Sequence, residues 1–273
     1  MSNASTNPAH HRLNIDTHLG PLHLQAQLHL AAPWTVIFGP SGSGKSSILR
    51  AACGPLPSNK SRPCFSFCHS RSPGSPASVL SPLGWSESAV AVKSVSPDTT
   101  TSEWTILDST PTHHRNLAYA PQGAILFPHL SVRENIAFAT DARHQPNSQL
   151  IDTAINLFDL APLANRLPRD LSGGERQRAN LARAFAVPSP HLLLLDEPFT
   201  GIGRALRDTL LPRMQQHATQ HGIPVLSVTH DVEEALLLNA EVIRLDNGHI
   251  IAQGPATEVL ATERTQILDT LQP

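Results

Sequence analysis

The sequence contains no long apolar segment. None of its 273 residues belongs to a run approaching the roughly 20 apolar residues that a membrane-spanning helix needs. The longest compact apolar run is the leucine stretch 192–195. The N-terminal residues, MSNASTNPAHHR, also lack the apolar core of a secretory signal. We therefore expect any function at a membrane to depend on partner proteins.

The chain also has no net positive charge, since it contains 20 basic and 22 acidic residues and its formal net charge is −2. A protein that binds nucleic acid through its phosphates usually carries a basic surface. We therefore expect no nucleic-acid partner. Aromatic residues make up only 4% of the chain, whereas 24 prolines indicate irregular segments between the folded elements.

Cysteines are few: Cys53, Cys64 and Cys68. An odd number without the spacing of a disulfide framework indicates a reducing compartment. The segment CFSFCH at 64–69 places two thiols beside His69, which is half of a possible zinc site. Because no second pair of ligands follows at a suitable spacing, we interpret these residues as incidental.

Short apolar runs alternate with helical patterns along the chain. Such runs are typical of parallel strands buried on both faces, and the alternation indicates an α/β fold around a largely parallel sheet. The predicted strands are 35–39, 117–122, 191–198, 225–230 and 241–248. The predicted helices are 46–53, 132–139, 149–160, 175–186, about 204–221 and 231–238.

These elements predict a single domain over 1–273. Its sheet core covers about 12–122 and 189–273. The residues between, about 123–188, show helical patterns without a clear strand. We therefore predict an α-helical subdomain set into the sheet core.

One segment, from about 55 to 102, does not fit this alternation. It is dense in serine and proline and shows no sustained periodicity, so we interpret it as a flexible, low-complexity insertion. EWTILD at 103–108 is expected to resume the fold as an edge strand.

The segment GPSGSGKS at 39–46 matches the phosphate-loop pattern G-x-x-x-x-G-K-[ST], between a predicted strand and a predicted helix. Glycines let backbone N–H groups curl around the phosphates at a helix N-terminus. Lys45 would supply a charge to the terminal phosphates, and the Ser46 hydroxyl would ligate Mg²⁺. The candidate nucleotide-binding residues here are Gly39, Pro40, Ser41, Gly42, Ser43, Gly44, Lys45, Ser46 and Ser47.

Two acidic residues follow the leucine run in LLLLDEP. Asp196 emerges at the carboxyl end of a predicted buried strand, the edge where α/β sheets bind ligands. It would help to hold Mg²⁺, and Glu197 is suitably placed to polarise the water that attacks the terminal phosphate. Alone, two acids after a strand are most often a turn, but the upstream phosphate loop favours the metal and water sites.

Two further polar residues end predicted strands. Gln122 ends YAPQ, and its amide can bridge the metal or the attacking water. His230 lies at the end of SVTHD and can hydrogen-bond the terminal phosphate. Each is weak evidence by itself, since a single Gln or His at a strand end is usually an ordinary loop residue.

The signature segment, LSGGERQR at 171–178, predicts the start of a helix. Ser172 followed by Glu175 forms a capping box. Gly173 and Gly174 leave the first-turn N–H groups open to an anion. A well-capped helix explains the box, but it does not explain two glycines that each cost about 1 kcal/mol in a helix.

Five segments in this order resemble the nucleotide-binding subunit of ATP-binding-cassette (ABC) transporters: GPSGSGKSS, APQGAILFPHLSVRENIAF, LSGGERQR, LLLLDEP and SVTHDVEEA. The resemblance implies a P-loop NTPase fold with a RecA-like sheet core and an inserted α-helical subdomain. It implies ATP hydrolysis with Mg²⁺. It also implies a head-to-tail homodimer, in which Ser172, Gly173 and Gly174 of one chain close over ATP held by the other.

The LFPHLSVRENIAF segment after Gln122 resembles bacterial importers rather than exporters. That resemblance implies two transmembrane permease subunits, contacted near Gln122, and an extracytoplasmic solute-binding protein. It further implies a peripheral location on the cytoplasmic face of the inner (plasma) membrane.

Four segments are most similar to molybdate-importer ATPases: VIFGPSGSGKSS, HHRNLAYAPQGAILFPHL, RLPRDLSGGERQR and VIRLDNGHIIAQGPATEVL. Molybdate or a related oxyanion is therefore the expected solute. Importers of iron, sulfate or polyamines are alternatives, as are a non-transport ABC ATPase and a weakly active subunit that mainly binds partners.

The chain departs from the family pattern in three places. Gly203 stands where the family usually has an Asp that helps to couple the two ATP sites. Residues 13–24 contain no aromatic residue to stack on adenine, so His18 or Leu19 would lie nearest to it. Because the chain stops at Pro273 after a helical tail, we expect the C-terminal oxyanion-binding domain usual in molybdate-importer ATPases to be absent.

Overall fold

The computed structural model describes residues 11–19, 21–30, 32–53, 66–70, 104–106, 115–141 and 147–271. Their elements follow in this order: β1 (His11–Leu19), β2 (Leu22–Leu30), β3 (Trp34–Phe38), α1 (Lys45–Cys53), β4 (Ser66–Ser70), β5 (Trp104–Ile106), β6 (Leu117–Ala120), α2 (Val132–Asp141), α3 (Ser148–Leu157), α4 (Gly173–Phe185), β7 (Leu192–Asp196), α5 (Arg204–Gln220), β8 (Val225–Thr229), α6 (Val232–Leu237), β9 (Glu241–Asp246), β10 (His249–Pro255), α7 (Ala256–Val259) and α8 (Ala261–Leu271).

The strands of the described residues form one sheet in the order β5-β4-β1-β2-β10-β9-β3-β8-β7-β6. In its second half, β9, β3, β8, β7 and β6 pair only in parallel with one another. Every residue of β3, β7 and β8 is buried, as expected for strands covered on both faces. All five predicted parallel strands are confirmed, and so is the α/β fold class.

The first half of the sheet is mainly antiparallel, which the sequence patterns did not predict. Strands β1 and β2 form a hairpin in which His18 lies opposite His23. From Leu24 onward β2 alternates buried and exposed residues, because only one face packs on the core. Strand β10 continues this half, antiparallel to β9 and parallel to β2.

The interpretation of 55–102 as a flexible, low-complexity insertion stays a prediction, but five of its residues, Ser66–Ser70, belong to the sheet. These residues form β4, which pairs antiparallel with β1 and with β5. A five-residue polar strand has no periodicity to reveal it, and its backbone hydrogen bonds come from distant partners. Trp104–Ile106 is confirmed as the edge strand. The other residues of 55–102, including Cys64, lie outside the described residues, so the interpretation of Cys64, Cys68 and His69 as incidental stays a prediction.

Helices cover both faces of the sheet. Alternate leucines of β7 point to opposite layers: Leu193 and Leu195 pack into the layer that contains α2, α4 and α5, and Leu192 and Leu194 pack with α1 and β2. Helices α2, α3 and α4 lie between β6 and β7 and pack on one another. The helical predictions for this range are confirmed, whereas its division from the core as a subdomain stays a prediction. No helix within the described ranges has the length and hydropathy required to cross a membrane.

Candidate functional site

Four neighbouring parallel strands carry the predicted site residues at their carboxyl ends. The phosphate loop, Gly39–Ser46, follows β3, and Gln122 follows β6. Asp196 ends β7 and Glu197 comes next, while His230 follows β8. Because β3, β8, β7 and β6 are adjacent in the sheet, its topology brings residues up to about 190 positions apart to one edge.

The phosphate loop is closed by its own lysine. Lys45 Nζ donates to the carbonyl oxygens of Gly39 and Pro40 over 2.8 and 2.7 Å. Gly42 has a φ of +82°, a conformation that side chains other than glycine rarely adopt. At Gly39 an added Cβ would lie 2.1 Å from the Leu245 carbonyl oxygen, so only glycine fits there. The loop then enters the N-terminus of α1, a geometry suited to phosphate groups.

Lys45 is buried, and burial lowers its pKa because the charged form loses hydration. The nearby carboxylates of Glu197 and Asp196 act in the opposite direction and favour the charged ammonium. The lysine charge therefore sits in a site that already contains two negative groups, and phosphate oxygens would add further stabilisation.

Ser46 and Asp196 are in direct contact. The Ser46 hydroxyl donates to Asp196 Oδ1 over 2.7 Å, and Asp196 is only 1% exposed. Burial raises the pKa of Asp196, while the Ser46 hydrogen bond lowers it. A hydroxyl and a buried carboxylate that converge in this way match the hard oxygen donors that Mg²⁺ prefers.

The sequence analysis missed Tyr119, whose hydroxyl donates to Asp196 Oδ2 over 3.4 Å. Burial, reinforced by the Asp196 charge, raises the pKa of Tyr119 to about 12. Tyr119 stays a neutral donor at physiological pH as a result. Its place is set by the register of β6 on β7, so no local pattern could have indicated it.

Glu197 is surrounded by polar partners. Gln122 Nε2 and Thr200 Oγ1 each donate to Glu197 Oε2 over 3.1 Å. His230 Nδ1 lies 3.4 Å from Glu197 Oε1. Glu197 itself has a φ of +47°, an uncommon conformation for a residue with a side chain. The geometry thus brings together Gln122, Glu197 and His230 as predicted, and it adds Thr200, which the sequence analysis missed.

The signature segment begins α4 as predicted. Ser172 Oγ accepts from the Glu175 N–H, and Glu175 Oε2 accepts from the Ser172 N–H over 2.7 Å, so the capping box is present. Hydrogen bonding of the Glu175 carboxylate to the Ser172 backbone N–H, and in addition to the Ser172 side chain, lowers the pKa of Glu175. No hydrogen bond within the described ranges joins Ser172, Gly173 or Gly174 to the phosphate loop of the same chain.

The two glycines of the signature segment have different surroundings. An added Cβ at Gly174 would lie 2.9 Å from the Gly201 carbonyl oxygen, whereas an added Cβ at Gly173 would meet no atom of the described residues within 4 Å. Gln177 reinforces this packing by donating to the Pro198 carbonyl over 2.9 Å. Close approach to the loop after β7 therefore explains Gly174, and packing within the chain does not explain Gly173.

Gly203 is the N-cap of α5, with extended backbone angles and no side-chain cap. An added Cβ would meet no atom within 4 Å in the part of the chain that the structure describes. The position where the family usually has an Asp thus accepts a side chain sterically, and the absence of that Asp leaves α5 without a capping oxygen.

Stacked histidines lie at the tip of the β1–β2 hairpin. The rings of His18 and His23 are 4.3 Å apart and almost parallel, and His23 Nε2 lies 2.8 Å from Asp16 Oδ1. Gly248 connects the hairpin to the phosphate loop, since its N–H donates to Ser43 O and its Cα lies against the His23 carbonyl.

A cavity of about 550 Å³ opens on the other side of the loop. Its walls come from the first residues of the phosphate loop, from His230 and from β9 and β10. The lining residues are Phe38, Gly39, Pro40, Ser41, His230, Arg244, Asp246 and Ile251.

Comparisons with known proteins agree with this geometry. The family model described as ABC transporter matches residues 84–200, which include the signature segment, Asp196 and Glu197. The molybdenum import ATP-binding protein ModC of Albidiferax ferrireducens is 35% identical over 241 residues, covering 87% of this chain and 56% of that protein. This chain is therefore similar to the ATP-binding proteins of ABC transporters.

Two further ModC proteins are also similar to this chain. ModC of Mesorhizobium japonicum is 31% identical over 91% of this chain and 59% of its own length. ModC of Aromatoleum aromaticum is 41% identical over 55% of this chain and 40% of its own length. The chain thus spans about half the length of the curated ABC relatives that it matches.

A solved structure has the same fold. A dimeric ATP-binding cassette in a post-hydrolysis state bound to ADP and Pi superposes with a TM-score of 0.65, covering 90% of this chain and 98% of that chain at 20% identity. The P-loop NTPase fold of the ABC ATPase type is therefore confirmed.

Proposed function

We propose that this chain is the ATP-hydrolysing subunit of a bacterial ABC importer, which couples ATP binding and hydrolysis in a head-to-tail homodimer to uptake of molybdate or a related oxyanion. The observation that carries the proposal is the hydrogen bond from Ser46 to Asp196, next to Glu197 in the chain. Glu197 in turn accepts a hydrogen bond from Gln122 and lies 3.4 Å from His230. Each of these residues fits a separate requirement of phosphoryl transfer.

ATP would bind along the phosphate loop. The N–H groups of the loop and the N-terminus of α1 would face the phosphates, and the glycine-rich backbone from Gly39 to Gly44 leaves room for them. Lys45 would exchange its bonds to the Gly39 and Pro40 carbonyls for bonds to phosphate oxygens. Ser47 follows in the first turn of α1 and completes the candidate set.

Mg²⁺ would be held by Ser46, Asp196 and Gln122. Ser46 and Asp196 already share a hydrogen bond, and the Gln122 amide donates a hydrogen bond to Glu197. The ion would neutralise negative charge on the phosphate oxygens.

Glu197 is the proposed general base. It would accept a proton from the attacking water while that water's oxygen bonds to the terminal phosphorus and the bond to the departing ADP oxygen breaks. Gln122 and Thr200 hold the Glu197 carboxylate by hydrogen bonds, and His230 would donate a hydrogen bond to the terminal phosphate.

A second copy of the chain would complete the site. Ser172 and Gly173 are exposed at the start of α4, and the Ser172 side chain is bonded only within its capping box among the described residues. In a head-to-tail dimer, Ser172, Gly173 and Gly174 would face ATP on the partner's phosphate loop.

Two permease subunits would bind near Gln122. Ile125, three residues after Gln122, is 65% exposed, and Phe138, whose ring packs on Phe127, is 54% exposed; large exposed apolar groups suit a protein interface. Closure of the dimer would then push on the permease from the cytoplasmic face of the inner membrane. An extracytoplasmic solute-binding protein would deliver the solute.

The names of the relatives support molybdate as the solute. Importers of iron, sulfate or polyamines use the same ATPase chemistry and are the alternative, together with a non-transport ABC ATPase. Uptake of labelled molybdate and sulfate into cells with and without this chain would separate these cases. Loss of molybdate uptake alone supports the proposal, and equal molybdate uptake in both strains contradicts it.

Glu197→Gln tests the catalytic assignment. The variant keeps the hydrogen bonds of the side chain but removes the base, so ATP should remain bound while turnover falls by at least about 100-fold. Glu258→Gln, an exposed change on α7, is the matched control. Undiminished hydrolysis by Glu197→Gln would contradict the assignment.

A further inference from the structure

A buried arginine on α5 lies outside the proposed catalytic set. Arg207 is 6% exposed and bonds three carboxylates. Its Nε donates to Asp208 over 2.9 Å, its Nη2 donates to Glu233 over 2.8 Å, and its Nη1 donates to Asp231 Oδ2. A buried guanidinium with three carboxylate partners is strongly held, because hydrogen bonds between two charged groups are stronger than those between neutral groups.

The contact with Asp231 links Arg207 to the proposed site, because Asp231 directly follows His230 in the chain. The other oxygen of Asp231 caps α6 by accepting from the Glu233 N–H over 2.8 Å, and its own N–H donates to Thr229 Oγ1 over 3.0 Å. Asp231 is thus fixed from three directions. Arg207 supplies the one contact that comes from a different helix.

His230 has far fewer contacts of its own. Its side chain is 68% exposed, and its polar neighbour within the described ranges is Glu197 at 3.4 Å. The position of the His230 ring therefore depends on its backbone, and that backbone is held by Asp231.

The start of α5, where Arg207 lies, also reaches the signature segment. The Arg207 N–H donates to the Gly203 carbonyl in the first turn of α5. Gly203 closes the loop that begins at Glu197, and within that loop the Gly201 carbonyl lies against Gly174. A continuous path of contacts thus joins the start of α4 to His230 through Arg207.

We propose that Arg207 is a positioning residue that fixes His230 relative to the 200–203 loop, so that movement of this loop changes the placement of His230 at the terminal phosphate. The inference rests on the proposed ATPase function. Because α5 has no side-chain cap at Gly203, the ion pairs of Arg207 hold the start of this helix in place.

A role limited to holding α5 on α6 would also make Arg207 important, so the test must separate the two roles. Turnover and ATP affinity are measured for Arg207→Gln, for His230→Ala and for the double variant. Arg207→Gln should reduce kcat by about 10- to 100-fold, as expected for a misplaced catalytic group, and leave the Kd for ATP within about twofold. In the His230→Ala background the same change should cost less than about twofold, because its target is already gone.

Arg213→Gln is the matched control, since Arg213 lies on the same helix and pairs with exposed Asp159 away from the site. It should leave kcat unchanged. Asp231→Asn serves as the second variant if Arg207→Gln does not fold, because Asn still caps α6 while it weakens the ion pair. It should show the same loss of kcat and the same dependence on His230.

Multiplicative losses in the double variant, or an unchanged kcat in Arg207→Gln or Asp231→Asn, would overturn the inference while leaving the ATPase function intact. A wild-type chain that neither binds nor hydrolyses ATP would overturn both.

Discussion

The Ser46 hydroxyl and the Asp196 carboxylate meet at 2.7 Å although 150 positions separate them in the chain. The contact joins the first turn of α1 to the end of β7, and it places an oxygen pair beside the lysine of the phosphate loop.

Asp196→Asn should separate activity from stability. Burial raises the pKa of Asp196, which means that its charged form is disfavoured in the folded protein. Replacing the charge by an amide should keep the melting temperature equal to or above that of the wild type. Loss of the metal ligand should lower Mg²⁺-dependent hydrolysis by at least about 100-fold. A variant that melts well below the wild type, measured by circular dichroism, would contradict the stability half of this prediction.

Glu234 should make folding stability depend on pH. Burial, reinforced by the charges of Asp231 and Glu197, raises its pKa from an ordinary 4.5 to about 7. The folded protein therefore retains the Glu234 proton between pH 4.5 and pH 7 while the unfolded chain releases it, so this residue makes the free energy of unfolding fall as pH rises through that window. Above pH 7 the charged side chain costs on the order of 3 kcal/mol.

Glu234→Gln should remove this penalty. Urea unfolding at pH 5 and pH 8 should show similar stabilities for wild type and variant at pH 5, and a more stable variant at pH 8. Glu258→Gln again provides the exposed control. Parallel pH profiles for wild type and Glu234→Gln would refute the assignment.

The two glycines of the signature segment should respond differently to alanine. Gly174→Ala would place a Cβ 2.9 Å from the Gly201 carbonyl, and relieving that contact should cost about 1–3 kcal/mol. Gly173→Ala adds a methyl group in open space at a helical position and should be neutral or stabilising by up to about 1 kcal/mol. Thermal unfolding of the isolated chain measures both, and equal effects would disprove the packing argument.

The parallel strands and their loops could be predicted because each has a local cause. Strand β7 is a leucine run since both its faces are covered, and the phosphate loop has a fixed spacing of glycines before Lys45. The β1–β2 hairpin was missed, although Leu24, Ala26 and Leu28 alternate with polar residues as a half-buried strand requires.

Other features have no local cause. Tyr119 and Thr200 contact the acidic pair through strand register and loop geometry, and Gly174 is needed because Gly201, 27 positions later, approaches it. Strand β4 forms because β1 and β5 offer it backbone partners. Such contacts are tertiary, and one sequence contains no periodicity that reports them.

The strands that lead to the site residues differ in how firmly the sheet holds them, because some are internal strands and one is an edge strand. Strands β3, β7 and β8, which lead to Lys45, Asp196 and His230, each have a hydrogen-bonded neighbour on both sides. Strand β6, which leads to Gln122, is the edge strand of the described sheet and is held on one side only. A force applied to the residues after β6 would therefore move Gln122 before it moved the phosphate loop. Since Gln122 donates a hydrogen bond to Glu197, such a force would also reach the Glu197 carboxylate while the phosphate loop keeps its place.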